Sequence, residues 1–470
     1  MASSDQEAEA HGEKGLGGHV GEALKGDEAA EWTNPPDETE KELPTGSTPD
    51  GTIPEEKTEK VESRTTEDPE YEAKDITTRD STEEEPLGWQ EGDTEGLSDK
   101  PLEVGTGDMK VVFDKLTLQA MVTKVSGVTG TPASNDILKH VLVQAHSGGV
   151  AMVGTDMELS AIARSAEPKV ETEGVIVLPI KMLGSIADLA GDIVTMDVKE
   201  GLARFISDDT VWQLNSVAHD LFPEVPRATD NARPISTSQL LRALEIVFPA
   251  VGRDESRPAL LMVHFDALGV YATDGARAHF AALPSDFENL HIPAPAVRPL
   301  INLLKNTPED YVYIDETAAH ILFLIGPDEF ATRMMDAQFP SVRGSMIDPR
   351  LKTHTEELVF SRERMRLALK RAAAISDDGA GSVTLKLNSE GACHITTSNM
   401  KGNRVATLLE IDYKGQPRSV TYLIPSILDL MNSFTDEMLT VKLSPSASEG
   451  VLLAHSEEAT VVILPRVRAS

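Results

Sequence analysis

After residue 108 one strand–turn pattern recurs at a nearly constant interval, and no other feature constrains the fold of this chain as strongly. Thr155-Asp156 follows the apolar run Ala151-Met152-Val153, and Thr273-Asp274 follows Gly269-Val270-Tyr271, 118 residues later. Phe222-Pro223 returns as Phe339-Pro340 after 117 residues. At the corresponding place further on stands Ile395-Thr396-Thr397-Ser398-Asn399, without the Asp. Such units are longer than the roughly 20–50 residues of a solenoid repeat. They predict three copies of one domain, over residues 109–231, 232–353 and 354–470, and a curved or ring-shaped scaffold more than a single catalytic pocket.

Each copy opens with an amphipathic helix. In copy two, Ser236-Thr237-Ser238-Gln239 has capping-box spacing, and Leu240, Leu244 and Val247 then share one face. Copy three starts its helix at Ser361, with Met365, Leu369 and Ala372 as the apolar face; copy one starts at Asp114, with Leu118, Met121, Val122 and Val125. A second helix follows a strand and begins near Pro179, Pro293 or Pro425, where proline lacks only an N–H that would have no partner. Alternating runs such as Ser382–Leu387 and Leu439–Leu443 read as half-buried strands. The fold class is therefore α+β, two helices packed on antiparallel sheet in each copy.

Charge divides the chain. Residues 1–108 hold 32 Asp and Glu against 9 Lys and Arg, in a segment crowded with Thr, Gly, Pro and Ser. Such a composition cannot bury enough apolar surface to offset its ordering entropy, so disorder is expected there. No apolar run approaches the ~20 residues of a membrane span, and the start Met1-Ala2-Ser3-Ser4-Asp5 lacks a signal-peptide pattern. The single Cys393 excludes an internal disulfide and fits a reducing cytosol. A cytoplasmic protein is expected.

Catalytic and metal chemistry find little support. His264, His279, His291, His354 and His394 are scattered without paired spacing, and no phosphate-binding loop or nucleophile elbow occurs in context. Asp156 and Asp274 resemble paired carboxylates only superficially; their recurrence at one point of the repeat argues for a turn. Neither an enzyme nor a cofactor is expected. The bases on the opening helices and just beyond them are more informative: Lys115, Lys124, Arg242, Arg253, Arg362, Arg366 and Lys370 recur in an acidic protein. One such residue is ordinarily a solvated charge. Together they suggest a weakly basic surface that meets phosphates without reading bases.

At these residues the chain resembles the bacterial sliding clamp, the beta subunit of DNA polymerase III. The resemblance covers Met109 to about Arg468. Its markers are Gly154-Thr155-Asp156-Met157-Glu158-Leu159, Phe222-Pro223, Arg257-Pro258-Ala259-Leu260 and Ala272-Thr273-Asp274-Gly275-Ala276-Arg277. Phe339-Pro340, Arg371-Ala372-Ala373-Ala374-Ile375 and Val462-Ile463-Leu464-Pro465 complete the series. Each is weak alone; their order and spacing are specific. The resemblance implies a head-to-tail homodimer whose six domains close around double-stranded DNA without sequence preference. It would tether a replicative DNA polymerase, be opened by a clamp loader, and work near the nucleoid. The bases above, joined by Arg257, would face the DNA. Partner peptides would enter a hydrophobic cleft formed by Leu260, Thr273, Gly275, Arg277, Pro340, Met346, Val462, Ile463, Leu464 and Pro465, where apolar anchors supply most of the affinity.

Three departures from the family pattern stand out. Ala276 and Ala278 flank Arg277 where the family commonly has His and a larger apolar residue. An Arg follows Pro465 directly, and Thr129-Gly130-Thr131-Pro132-Ala133 lacks a basic residue often found in that loop. The extension lies outside the resemblance. It reads as a solubilising tail or, more sharply, as a set of carboxylates that compete with DNA for the basic surface. A clamp-like scaffold that recruits peptides without conferring processivity is the alternative reading.

Overall fold

The computed structural model describes residues 108–130, 135–287, 289–376 and 381–466. The acidic extension up to residue 107, Thr131-Pro132-Ala133 and Val467-Arg468 lie outside the described residues.

The helices recur in pairs: α1 (Lys115–Ser126) with α2 (Ile180–Leu189), and α3 (Thr237–Val247) with α4 (Ala294–Lys305). A short α5 (Asp348–Thr353) precedes the third pair, α6 (Arg362–Ala373) and α7 (Ile424–Ser433). Local chemistry starts the first helix of each pair differently. Asp114 Oδ1 accepts from the Thr117 amide at 2.9 Å, and Ser361 Oγ accepts from the Arg364 amide at 3.5 Å. The capping box expected at Ser236 does not form, because its hydroxyl lies 3.2 Å from the Ser238 hydroxyl instead. Pro179 and Pro293 stand at the N-cap of α2 and α4, and Pro425 sits in the first turn of α7.

The strands form three antiparallel sheets, and two of them cross from one copy of the repeat to the next. A five-stranded sheet runs from Lys169–Thr172 through Met109–Asp114, Ile193–Lys199 and Leu202–Ser207 to Thr210–Asn215. An eight-stranded sheet passes through copy two to Asp328–Arg333, crosses to Leu159–Ser165, and continues through copy one. A twelve-stranded sheet reaches Arg277–Ala282 in copy two, crosses to Ala459–Ile463, and continues through copy three. The antiparallel sheets expected in each copy therefore continue across both boundaries between copies.

The two crossings are built alike. At the first, Leu159 pairs with Thr332 and Ile162 with Glu329; at the second, Arg277 pairs with Ile463 and Ala281 with Ala459. Apolar residues of all three copies, from Met109 and Phe113 through Phe265 and Leu300 to Leu430 and Val461, belong to one continuous buried core. Each crossing therefore combines a backbone ladder with shared apolar burial, the two terms that make a seam between domains rigid.

Candidate functional site

Two regions collect the candidate residues: the solvent face of the paired helices, and the second crossing. On the helices, most of the candidate bases are held by the protein itself. Lys115 Nζ donates to Ala190 O at 2.8 Å, and Arg362 Nε donates to Asp436 O at 2.8 Å with a further bond to Met431 O at 3.3 Å. Both open the first helix of a pair and satisfy carbonyls at the C-terminal end of the second, where a cation also complements the helix dipole. Lys124 Nζ lies 2.7 Å from Asp328 across the first crossing, and Arg242 Nη2 donates to Ser433 O at 2.7 Å across the second. Arg366 forks onto Glu363 at 2.9 and 2.8 Å, and Arg257 meets Asp254 at 2.9 Å. Arg253 and Lys370 are exposed, with no hydrogen bond or ion pair among the described residues.

The exposed positions also reveal bases that pattern reading missed: Lys181 on α2, Arg298 and Lys305 on α4, Arg364 and Arg371 on α6. With Lys370 they make six exposed bases on the paired helices against three exposed carboxylates, Asp188, Glu245 and Glu363. This face is positive in a chain whose formal charge is −34. Their signal was in the sequence, since each lies outside the buried helical stripe.

At the second crossing, the Thr273–Arg277 turn is fixed by its own side chains. Asp274 Oδ1 accepts from the Ala276 and Arg277 amides, both at 2.9 Å, and Thr273 Oγ1 donates to Arg277 O at 2.6 Å. Gly275 has φ +89°, and a Cβ there would stand 3.0 Å from Arg257 Nη1 and 3.9 Å from a Leu260 methyl. The turn is thus a floor left open by the missing side chain. Leu464 N donates to Ala276 O at 2.8 Å and brings the C-terminal segment alongside, while Met346 Sδ lies 3.9 Å from Thr273 Oγ1. Met346, Phe339 and Leu464 pack half-buried against a buried cluster of Tyr271, Ala278, Val342, Ile347, Val451 and Val462. Pro340 lines an adjoining cavity, and Pro465 leads to Arg466, whose amide donates to Thr421 O at 2.8 Å.

Two candidates face elsewhere. Ile463 points into the main core, as the alternation of strand side chains requires once Val462 enters the second buried cluster. The Arg277 guanidinium turns inward. Its Nε meets Asp274 Oδ2 at 3.0 Å, Nη1 meets Asp429 Oδ2 on α7 at 2.5 Å, and Nη2 donates to Pro249 O. Burial pushes the Asp429 carboxyl up and Arg277 pulls it back. Tyr271 and Phe339 adjoin the named Thr273 and Pro340, and Val342, Ile347 and Val451 complete the cluster without a motif of their own.

The comparisons with known proteins fall on this geometry. Residues 109–226 match the family model of the DNA polymerase III beta subunit, N-terminal domain. The beta sliding clamp of Synechococcus elongatus is 25% identical over 362 residues, 73% of this chain and 95% of that protein. The Vibrio cholerae clamp is 25% identical over 369 residues, 76% and 99%. The solved Caulobacter crescentus clamp superimposes with a TM-score of 0.70 at 19% identity, covering 77% of this chain and 100% of that one. The Bartonella birtlesii clamp, solved bound to griselimycin, gives 0.70 at 23% identity with the same coverage. This chain is related to the bacterial sliding clamps.

Within that clamp fold, the first crossing repeats the backbone of the second. Asp156 Oδ1 accepts from Glu158 N at 3.0 Å and Leu159 N at 2.7 Å, Thr155 Oγ1 donates to Leu159 O at 2.7 Å, and Arg333 N donates to Glu158 O at 2.8 Å. Where copy two has Gly275, copy one has Met157, held at φ +78° and 59% exposed. In copy three Asn399 takes the role of the Asp, accepting from Lys401 N at 3.1 Å and Asn403 N at 2.9 Å, in a turn one residue longer with Gly402 at φ +82°. The clamp fold carries one turn three times, with glycine at the positive-φ position in copies two and three and methionine in copy one.

Proposed function

We propose that this chain is a DNA polymerase processivity factor: two copies close head to tail around duplex DNA, and the ring tethers the replicative polymerase and other peptide-bearing partners. The observation that carries this reading is the pair of sheet edges left over after the two internal crossings. The strand Thr210–Asn215 ends the five-stranded sheet, and Arg404–Glu410 has a partner on one side only. They occupy the positions whose equivalents pair at both internal crossings. Extending the repeat sets Leu214 opposite Asn403 of a second copy, Gln213 opposite Arg404, Trp212 opposite Val405 and Val211 opposite Ala406. It also sets Leu367 on α6 against Leu189 on α2, the counterparts of Arg242 and Ser433.

These ends carry exposed apolar residues that a monomer has no reason to keep, among them Leu189 at 74%, Val211 at 55% and Leu367 at 46%. Lys370, Arg371 and Arg404 at one end face Asp188, Asp208 and Asp209 at the other, which favours head-to-tail pairing. Domains of 109–231, 232–353 and 354–470 then give six per ring.

The helix face would line the hole. Its excess of bases holds phosphates without reading sequence, while the acidic exterior repels unthreaded DNA. The cleft at the second crossing takes partner peptides, including those of a clamp loader. The chain performs no chemistry, and retention comes from topology. No helix among the described residues is long and apolar enough to cross a membrane, and we place the protein with the nucleoid in the cytoplasm.

The test is sedimentation of the full chain beside Val211→Lys and Leu367→Asp. A dimer that both substitutions dissociate, with griselimycin binding retained, supports the ring. A wild-type monomer that still binds griselimycin would favour the peptide scaffold instead.

A further inference from the structure

The outer face of the sheet in copy two differs from its counterpart in copy one in a way that packing alone does not require. In copy one the cross-strand row is aliphatic: Val177 opposite Leu142, Leu142 opposite Val153, Val153 opposite Ile162. Phe222 covers it, and Val217 bridges to Val177, so the face is closed. In copy two the same four positions are His291, His264, Tyr271 and Phe280. Phe339, the counterpart of Phe222, stacks on His264 with ring centres 4.8 Å apart and planes at 17°. The face is open, and a cavity of 420 Å³ lies over it beneath the segment that joins copies two and three.

The cavity has a directed polar side. Arg343 on its wall donates to Tyr271 OH at 3.4 Å and lies 3.5 Å from Asp348, so its guanidinium is only loosely held and remains exposed. Asp266 Oδ1 is committed to the Leu268 and Gly269 amides at 2.8 and 3.0 Å. Pro340 and Val342 line the cavity, and Val342 also belongs to the cluster beneath the peptide cleft. The two openings therefore share a wall.

We propose that this cavity is a second subsite for a partner peptide, taking an aromatic side chain on the His264–Phe339 platform and pairing a neighbouring carboxylate with Arg343. A planar ring gains offset stacking on an aromatic floor that an aliphatic row cannot give, and a loosely paired guanidinium suits a carboxylate fork. The proposal rests on the reading that the adjoining cleft binds peptides. It adds that partners are distinguished by what flanks their apolar anchor.

The experiment measures fluorescence anisotropy on the full chain with two peptides, a short one carrying only apolar anchor residues and the same one extended by Trp-Glu-Glu. The extension should tighten binding about tenfold. Arg343→Met, and separately His264→Leu with His291→Val to restore the residues of copy one, should erase that gain and leave the short peptide unchanged. An extension that adds nothing overturns the subsite, as do substitutions that weaken both peptides equally. If the short peptide fails to bind, the cleft reading falls. Binding of the extended peptide that Arg343→Met abolishes would then leave the subsite standing, and its absence would remove both.

Discussion

Replacing Arg277 by Met should destabilise the protein by about 2–4 kcal/mol, although the residue lies at the edge of a proposed peptide site. Its side chain is only 12% exposed and joins three elements, the Asp274 turn, Pro249 beyond α3, and Asp429 on α7. Met keeps most of the apolar stem but leaves Asp429, already pushed up by burial, without its cation. Breaking one side of a buried pair costs about 3–5 kcal/mol, and the partial exposure of Asp429 lowers that figure. The assay is urea unfolding of Arg277→Met, Asp429→Asn and the double substitution, compared at constant m.

The double substitution should recover most of the loss, because no unpaired charge remains. The sign with pH is fixed. In Arg277→Met the folded-state pKa of Asp429 lies above its unfolded value, so the deficit is present above that pKa and shrinks as pH falls through it. A loss under about 0.5 kcal/mol, or a double substitution no better than Arg277→Met, would refute the view that Arg277 bolts copy two to copy three.

His279 is fully buried, its Nδ1 donates to Ile246 O at 2.7 Å, and it is pushed down to about 4 by burial. Its depressed pKa means stability is lost as pH falls from about 6.5 to about 4, by about 3 kcal/mol, and His279→Gln should flatten that part of the pH–stability curve. Gly275→Met should fold, because Met157 already adopts the same turn, yet weaken binding of a peptide of apolar anchor residues at least tenfold by filling the floor; titration calorimetry reads this. Deleting residues 1–107 should raise loading onto DNA at low salt and matter less at high salt, as competition between carboxylates and phosphates requires; an unchanged loading rate would count against it.

What the sequence made legible follows from the range of each interaction. The Asp turns, the apolar helix stripes and the first-turn proline of α7 are set within a few residues, and the repeat carried them all. The crossings were hidden, because Leu159 against Thr332 is a pairing over 170 residues with no local period. Composition also could not separate a base that caps a helix from one that faces solvent: Lys115 and Arg362 serve carbonyls, whereas Lys181 and Arg371 are free of such duty. In the cleft, the segments named by motif do converge. The turning of Arg277 toward Asp429, and of Ile463 toward the core, depended on strand register and on a helix far along the chain. Asn399 shows the opposite case, a residue that looked like a lost motif and keeps its hydrogen bonds.

The central claim is that the protein holds DNA by enclosing it. Loading the full chain with a clamp loader onto a nicked circular duplex, then cutting the circle with a restriction enzyme, tests this most directly. The protein should stay with the circle through gel filtration at moderate salt and leave within minutes of linearisation. Retention on the linear product, or equal loss before and after cutting, would contradict it.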